Sequence, residues 1–368
     1  MSVESKTKLL PLESLRGIAA LVVALLHFQI AKSFFNENFL VKNGDLMVDL
    51  FFVLSGFVIA YNYSGKIGNI SELLSFQKKR FWRLYPLHVV TLFAFIAIEI
   101  SRYYVGIINP ASVLKPAFEN SGFWAFISNL FLLQSFTGHS GSFNGPSWSI
   151  SVEFYVYVVF GLFSLLNLKL ARRTFIVFLI IIASCGMLLT IRPESPLDVP
   201  HSALFARCMY SFFLGVFFYL IQGLIPFRGS TFVSLLFLLG SGYLIFEFAK
   251  TPYEWLIPIF LGMTICFIST LNPQNWLYKL LSFKPTVWLG KVSYSIYLIH
   301  GIVWAVIGAI VKFVFGNSGE VIHGVRYFTF PFYTSIGIHI MSIMFLLMVS
   351  SLTWKYIEVR FNYGKRIK

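Results

Sequence analysis

Apolar and polar positions alternate along this chain in long blocks. Ten apolar segments fall near 17–35, 47–64, 87–106, 148–168, 174–191, 203–222, 231–248, 253–271, 287–315 and 331–356. At 1.5 Å per residue, a helix of such length spans the roughly 30 Å hydrocarbon layer of a bilayer. An eleventh segment, 124–136 (WAFISNLFLLQSF), is shorter and carries Asn129 and Gln134. The charges between segments decide its place. If ten segments cross and the N-terminus is cytoplasmic, 20 of the 29 Lys and Arg lie on the cytoplasmic side. An eleventh crossing would reverse the later loops and put Lys169, Arg172 and Arg173 outside, against the positive-inside bias. The pattern predicts an all-α polytopic membrane protein with ten transmembrane helices and both termini inside. Segment 124–136 becomes a re-entrant or interfacial piece of a long outer loop, 107–147. Non-helical backbone at membrane depth is tolerated only against protein or a water-filled cavity, so this loop is a place to look for a site.

No detachable soluble domain, internal repeat or glycine-rich phosphate loop is legible, and residues 1–368 read as a single integral membrane domain. Glu4 and Glu13 precede the first apolar run and no small-residue cleavage site follows it, so it reads as a retained span. The composition agrees: 57% hydrophobic and 12% charged, where a soluble domain is about a quarter charged. The net charge of +14 therefore points to cytoplasmic loops and anionic lipid, not to nucleic acid. Cys185, Cys208 and Cys266 all sit in apolar stretches without metal-like spacing. We expect no disulfide, no metal and no permanently bound cofactor.

A few polar residues stand out against this background. Arg16 and His27 are eleven apart, close to three helical turns, so they share a face about 16 Å apart along the axis. If Arg16 marks one interface, His27 lies near the midplane. A neutral imidazole there suits a general base, and it also suits a histidine hydrogen-bonded between packed helices. Arg16 is equally readable as an interfacial, snorkelling residue. Arg80 and Arg83 share a face just before the third span, where Pro86 marks the span's start. Guanidinium forks grip phosphates, and basic residues at a span's inner end also arise from topology alone. Glu153 lies a turn and a half into a span behind Trp148, an interfacial aromatic by position. A carboxylate at that depth needs a His or Arg partner, to orient His27 or to hold an acceptor hydroxyl. Arg16 and Arg80 enter from one side and Glu153 from the other, which suggests a path across the membrane. Asp49 sits at the outer end of a span. The small pair Ser55–Gly56 suits close helix packing. Tyr297 and His300 share a face that suits core packing. His139 lies in the outer loop, and His88, His201, His323 and His339 show no pattern.

Together these pieces resemble the membrane acyltransferase-3 family over nearly the whole chain. The marks are Arg16 and His27 with ten residues between, VDLFFVLSGFVI (48–59), Arg80-x-x-Arg83, WSISVEF (148–154) and SYSIYLIH (293–300). The resemblance implies a cytoplasmic acyl-CoA donor, usually acetyl-CoA, and a carbohydrate acceptor: a hydroxyl of a cell-surface polysaccharide or of its lipid-linked precursor. It implies His27 as the catalytic residue, Arg16, Arg80 and Arg83 in donor binding, and Glu153 as the family's acidic position. Asp49, Trp148, Tyr297 and His300 are accessory candidates. Some relatives carry an extracytoplasmic hydrolase-like domain. None is legible here, so the chain is expected to act alone or to hand its acyl group to a separate protein.

The expectation is thus an O-acetyltransferase of the bacterial cytoplasmic membrane whose partners are acyl-CoA, a carbohydrate or lipid-linked glycan, and membrane lipid. His27 would deprotonate an acceptor hydroxyl, which attacks the thioester carbonyl. Direct transfer and a covalent acyl-enzyme are both open. A transporter or flippase for a lipid-linked sugar would explain the spans equally well, but the paired arginines less economically, and no repeat supports it. An acyl-translocating subunit is a third reading. The charge split predicts that a cysteine placed beside Lys169 is labelled by membrane-impermeant reagents only from the cytoplasmic side. Labelling from outside would mean that 124–136 crosses.

Overall fold

The computed structural model describes residues 9–30, 33–110, 115–316, 319–322 and 325–361. Lys6, Lys8, His323, Lys365, Arg366 and Lys368 lie outside the described residues. In chain order the helices are α1 (Leu10–Leu26), α2 (Phe39–Lys42), α3 (Met47–Tyr63), α4 (Ile70–Ile108), α5 (Phe123–Leu130), α6 (Trp148–Leu165) and α7 (Leu170–Ile191). They continue with α8 (Leu204–Ile221), α9 (Thr231–Phe248), α10 (Leu256–Ser269), α11 (Trp276–Leu281) and α12 (Lys284–Phe313). An antiparallel hairpin of β1 (Glu320–Ile322) and β2 (Val325–Tyr327) precedes α13 (Phe332–Thr353). A π-helical turn, Trp354–Glu358, and the short α14 (Val359–Phe361) complete the described chain. The protein is all-α apart from the hairpin.

Each of the ten apolar segments is a helix. Eight are long and apolar enough to cross a membrane, while α1 and α10 are shorter, at 17 and 14 residues. The first helix is displaced from the expected span. It begins at Leu10, with Pro11 in its first turn, and ends at Leu26 with His27 as its C-cap. Beyond it Asn36 donates to the carbonyls of Phe28 and Ile30, and Ile30 pairs with Phe328, so the chain turns aside. Helix α4 also starts earlier than expected. Asn69 caps it by accepting from Glu72 N, Glu72 reaches back to Gly68 N, and Pro86 lies inside the helix instead of opening it.

The basic loops gather at one end of the bundle. Arg173 donates to Ser64, linking the start of α7 to the end of α3 (2.9 Å). Gly229 N donates to Thr270, linking α9 to α10 (3.1 Å), and Ser14 donates to Thr286, linking the starts of α1 and α12 (3.0 Å). We refer to this as the basic end.

Segment 124–136 forms the eight-residue α5 and an irregular stretch that folds back. Its side-chain amides are buried, and their NH2 groups all donate. Asn129 donates to Ala125 O and to Ser142, while its backbone carbonyl accepts from His88 of α4. Gln134 donates to Ser147 O, and Asn144 donates to Leu298 O, near the middle of α12. The side-chain oxygens of Asn129, Gln134 and Asn144 are buried without a protein partner, so the segment packs against protein with only half of each amide satisfied.

Asp49 is not at an open helix end. Its carboxylate is fully buried, accepts from Arg207 Nη2 at 2.6 Å and Nε at 3.1 Å, and accepts from Ser211 at 2.7 Å. Arg207 in turn lies 5.7 Å from the ring centre of Trp148, so Trp148 packs inside the bundle and not at an interface. This pair joins α3, α6 and α8. Around it α3 and α8 nearly touch: a Cβ on Gly56 would stand 1.9 Å from Phe212 O, and one on Gly215 2.0 Å from Val53 O. Gly56 has the packing role expected of it. Asp49→Ala should cost about 3–5 kcal/mol by stranding the Arg207 charge, lowering the thermal midpoint in detergent. Asp49→Leu with Arg207→Met should recover most of that loss; a double variant no more stable than the single would refute the assignment.

Candidate active site

A cavity of about 940 Å³ lies between α1, α3, α4, α6 and α12. Near the basic end it is lined by Glu13, Arg16, Tyr63, Lys79, Arg80, Arg83 and Lys291. Deeper it meets Ser55, Glu153, Tyr157, Ser149 and Tyr297. The structure therefore brings Arg16, Arg80, Arg83 and Glu153 to one chamber, as their order along the chain suggests. Its lining carries more cationic than anionic side chains, and the cations cluster toward the basic end.

The three arginines are not equivalent. Arg83 Nη1 is 2.5 Å from Glu358 Oε2, and Glu358 also accepts from Ser295 at 2.6 Å. The Arg83 guanidinium lies 5.4 Å from the centre of the Tyr294 ring, whose hydroxyl donates to Leu84 O. Arg83 is thus already neutralised, contrary to a purely phosphate-gripping role. Arg16 is shared among Glu13 (2.5 Å), Gly290 O (3.0 Å) and Ser293 (3.1 Å). Among the described residues Arg80 has no carboxylate partner. It lies 5.5 Å from the centre of the Tyr63 ring and 5.9 Å from that of Phe76, makes one long bond to the Tyr63 hydroxyl (3.4 Å), and its buried Nε has no partner. Of the three, Arg80 has the most unspent capacity for an anion.

Glu153 departs from expectation. Among the described residues it makes no salt bridge; it accepts from Tyr157 at 2.6 Å, and Tyr157 is bonded to Ser55 at 2.7 Å. Neither His27 nor an arginine is its partner.

His27 lies outside the chamber. Its Nδ1 is 2.8 Å from Val23 O, and since a carbonyl only accepts, Nδ1 carries the proton. Nε2 then bears the lone pair. The residue is exposed, and its ring centre is 4.9 Å from that of His300. His300 is fully buried in the core, and the groups nearest its ring nitrogens are the Tyr297 and Ile296 carbonyls, at poor hydrogen-bond geometry. Tyr297 stands between the two regions. Its ring centre is 6.2 Å from that of His300, it lines the chamber, and its hydroxyl is held by Pro146 O (2.9 Å) and Ser149 (2.8 Å). The chamber that holds Arg16 thus reaches Tyr297 but is not lined by His27. Arg16 and His27 do share the face of α1 that packs on α12, as their spacing predicts.

Glu358, Tyr157 and Ser149 are the chamber residues and partners missed at the sequence level. Glu358 left one signal: it is the sole carboxylate in 355–368, a stretch otherwise basic. The π-helical turn that aims it at Arg83 left none. Among the described residues no three His, Cys, Asp or Glu gather as metal ligands.

A family model described as an acyltransferase domain matches residues 11–354. The acyltransferase MdmB of Streptomyces mycarofaciens is 28% identical over 316 residues, 78% of this chain and 77% of that protein. The peptidoglycan O-acetyltransferase OatA of Listeria monocytogenes is 23% identical over 320 residues, 78% of this chain and 48% of that protein. A protein of Rhizobium radiobacter named for the picA locus is 35% identical over 170 residues, 44% of this chain and 84% of its own length. The chain thus spans about half the length of the peptidoglycan O-acetyltransferase. No solved structure matches.

The different surroundings of the arginines give an expected outcome. Arg83→Ala should lower the thermal midpoint by stranding the buried Glu358, and Arg83→Ala with Glu358→Gln should restore most of it. Arg80→Ala strands no charge and should stay within about 1 kcal/mol of the parent. Equal destabilisation by both single variants would contradict this division.

Proposed function

The chain belongs to the acyltransferase-3 family, and from that premise we propose that it moves an acetyl group from cytoplasmic acetyl-CoA to a hydroxyl of an extracytoplasmic polysaccharide or lipid-linked sugar. It is a multi-pass membrane acyltransferase, and the bacterial cytoplasmic membrane is its proposed location. One observation carries the reading: a cation-lined chamber opens at the basic end, and a histidine with a free Nε2 lies just past a tyrosine that lines it. The donor's phosphates would rest on Arg80, Lys79 and Lys291, with Arg16 flanking them. Arg83, neutralised by Glu358, would shape the mouth. The pantetheine arm would run along the apolar wall of α3, past Val58, Leu54 and Phe51. With Tyr297 swung from Ser149, the thioester would reach the His27 side.

There His27 Nε2 takes the proton of the acceptor hydroxyl as its oxygen bonds to the thioester carbon. The C–S bond then breaks, and the proton passes to the departing thiolate. Glu153, bonded through Tyr157 to Ser55, is an acidic group of the donor chamber in this scheme and does not orient His27. The relatives named as O-acetyltransferases support an oxygen acceptor. The relay of an acyl group to a separate transferase is an outcome of the same experiment.

The test is purified protein in sealed vesicles of known orientation, with labelled acetyl-CoA and candidate glycans. Acetyl-CoA should serve only from the basic end, and labelled glycan should appear on the opposite side. His27→Ala should lose about 10²- to 10⁴-fold in transfer while remaining folded. Arg80→Ala should raise the KM for acetyl-CoA with little change in kcat. Donor hydrolysis without glycan labelling would favour the relay, and an active His27→Ala enzyme would defeat the mechanism.

A further inference from the structure

We propose that a second cavity, on the connection between α4 and α6, is a docking subsite for a neutral glycan. The inference rests on the acceptor class proposed above and adds a place for it. The cavity is about 510 Å³ and shares no lining residue with the donor chamber. Its side chains are Glu119, Asn120, Phe123, Trp124, His139 and His201. The two histidines, unremarkable in the sequence, are brought together from the outer loop and from the start of α8's leading turn.

The chemistry of the lining narrows the ligand. It contains no Lys or Arg, so nothing there matches a phosphate or an anionic headgroup. It is also too polar for an acyl chain. A carboxylate, an amide and two imidazoles supply hydrogen-bond acceptors and donors to hydroxyls. His201 Nδ1 is bonded to Ser140, which leaves its Nε2 open. Beside them Trp124 and Phe123 are 71% and 69% exposed, with ring centres 5.4 Å apart. A pyranose has an apolar C–H face and a rim of hydroxyls, and this lining offers a surface to each. Gly122, Gly138 and Gly141 form part of the wall, and a Cβ added at any of them would meet no atom within 4 Å. The wall at these three glycines is therefore open enough to take a side chain.

Its position fits an acceptor. Ser142, at the cavity wall, is two residues from Asn144, which is bonded to Leu298, itself two residues from His300 beneath His27. The segment that carries the cavity therefore leans on the same turn of α12 as His27, away from the basic end.

The experiment is calorimetric titration of the purified full chain with chitotetraose, cellotetraose and maltotetraose as neutral probes. At least one should bind saturably, and inorganic phosphate should not compete. Trp124→Ala should weaken binding about tenfold by removing the stacking face. Gly141→Leu should abolish it by filling the cavity; no positive φ and no neighbouring atom opposes a side chain there. Thermal midpoints of both variants establish that they are folded. Unchanged affinity in two folded variants, competition by phosphate, or no binding of any probe by the parent would overturn the subsite. Acetyl-CoA turnover by the parent, measured alongside, keeps the two readings apart. Turnover without glycan binding defeats the subsite alone. Glycan binding lost in the variants, without turnover in the parent, supports the subsite and defeats the donor reading.

Discussion

The approach of α1 to α12 governs the rest of the site. A Cβ on Gly17 would lie 2.5 Å from Gly290 N, and one on Gly290 2.1 Å from Glu13 O, so the two backbones are in contact. In a bilayer no hydrophobic driving force presses helices together, and such contact between small residues supplies the packing energy instead. The consequence runs along both helices. At one end the closeness lets Arg16 donate to Gly290 O and Ser293; at the other, Trp304 donates to Ala24 O and His27 comes over His300. Arg16 and His27 are thus held on a single helix pair, with their separation set by helical rise.

Much of this was legible beforehand. Long apolar blocks identify helices without tertiary information, and 124–136, short and polar for a span, forms only the eight-residue α5 and an irregular stretch. The eleven-residue spacing from Arg16 to His27 foretold one shared face. Helix ends were less legible, because apolar content says nothing of caps: Pro11 and Asn69 start helices inside what reads as polar sequence. The pairing of charges was least legible. Glu358 meets Arg83 across the bundle, and Asp49 meets Arg207 between α3 and α8, distances along the chain that no local pattern spans. The place of Tyr297 at the chamber wall depends on how Pro146 and Ser149 meet α12, which is a tertiary fact.

Neutralisation sorts the arginines in and beside the chamber into two kinds. Arg83 and Arg207 each have a buried carboxylate and serve the architecture, whatever else they do. Arg80 has only aromatic faces and a long bond to a hydroxyl, so its field reaches into open space. A cationic mouth of this type raises the local concentration of a polyanionic donor before any specific contact is made, and salt weakens that attraction. The π-helical turn matters here too. Such turns cluster at functional sites in helices because the extra residue re-aims a side chain, and this one turns Glu358 inward while Trp354 lines the chamber.

Tyr297 has a consequence beyond the chemistry. It lines the chamber, and its hydroxyl is held by Ser149 and Pro146 O. In any polytopic protein a water-filled chamber has to end against packed side chains, because a continuous aqueous passage would leak protons and salt. A bulky apolar ring resists wetting even when its hydroxyl is unpinned, whereas a small side chain would leave a water-filled gap. Bulk at position 297 therefore favours a dry wall to the chamber whether or not substrate is present.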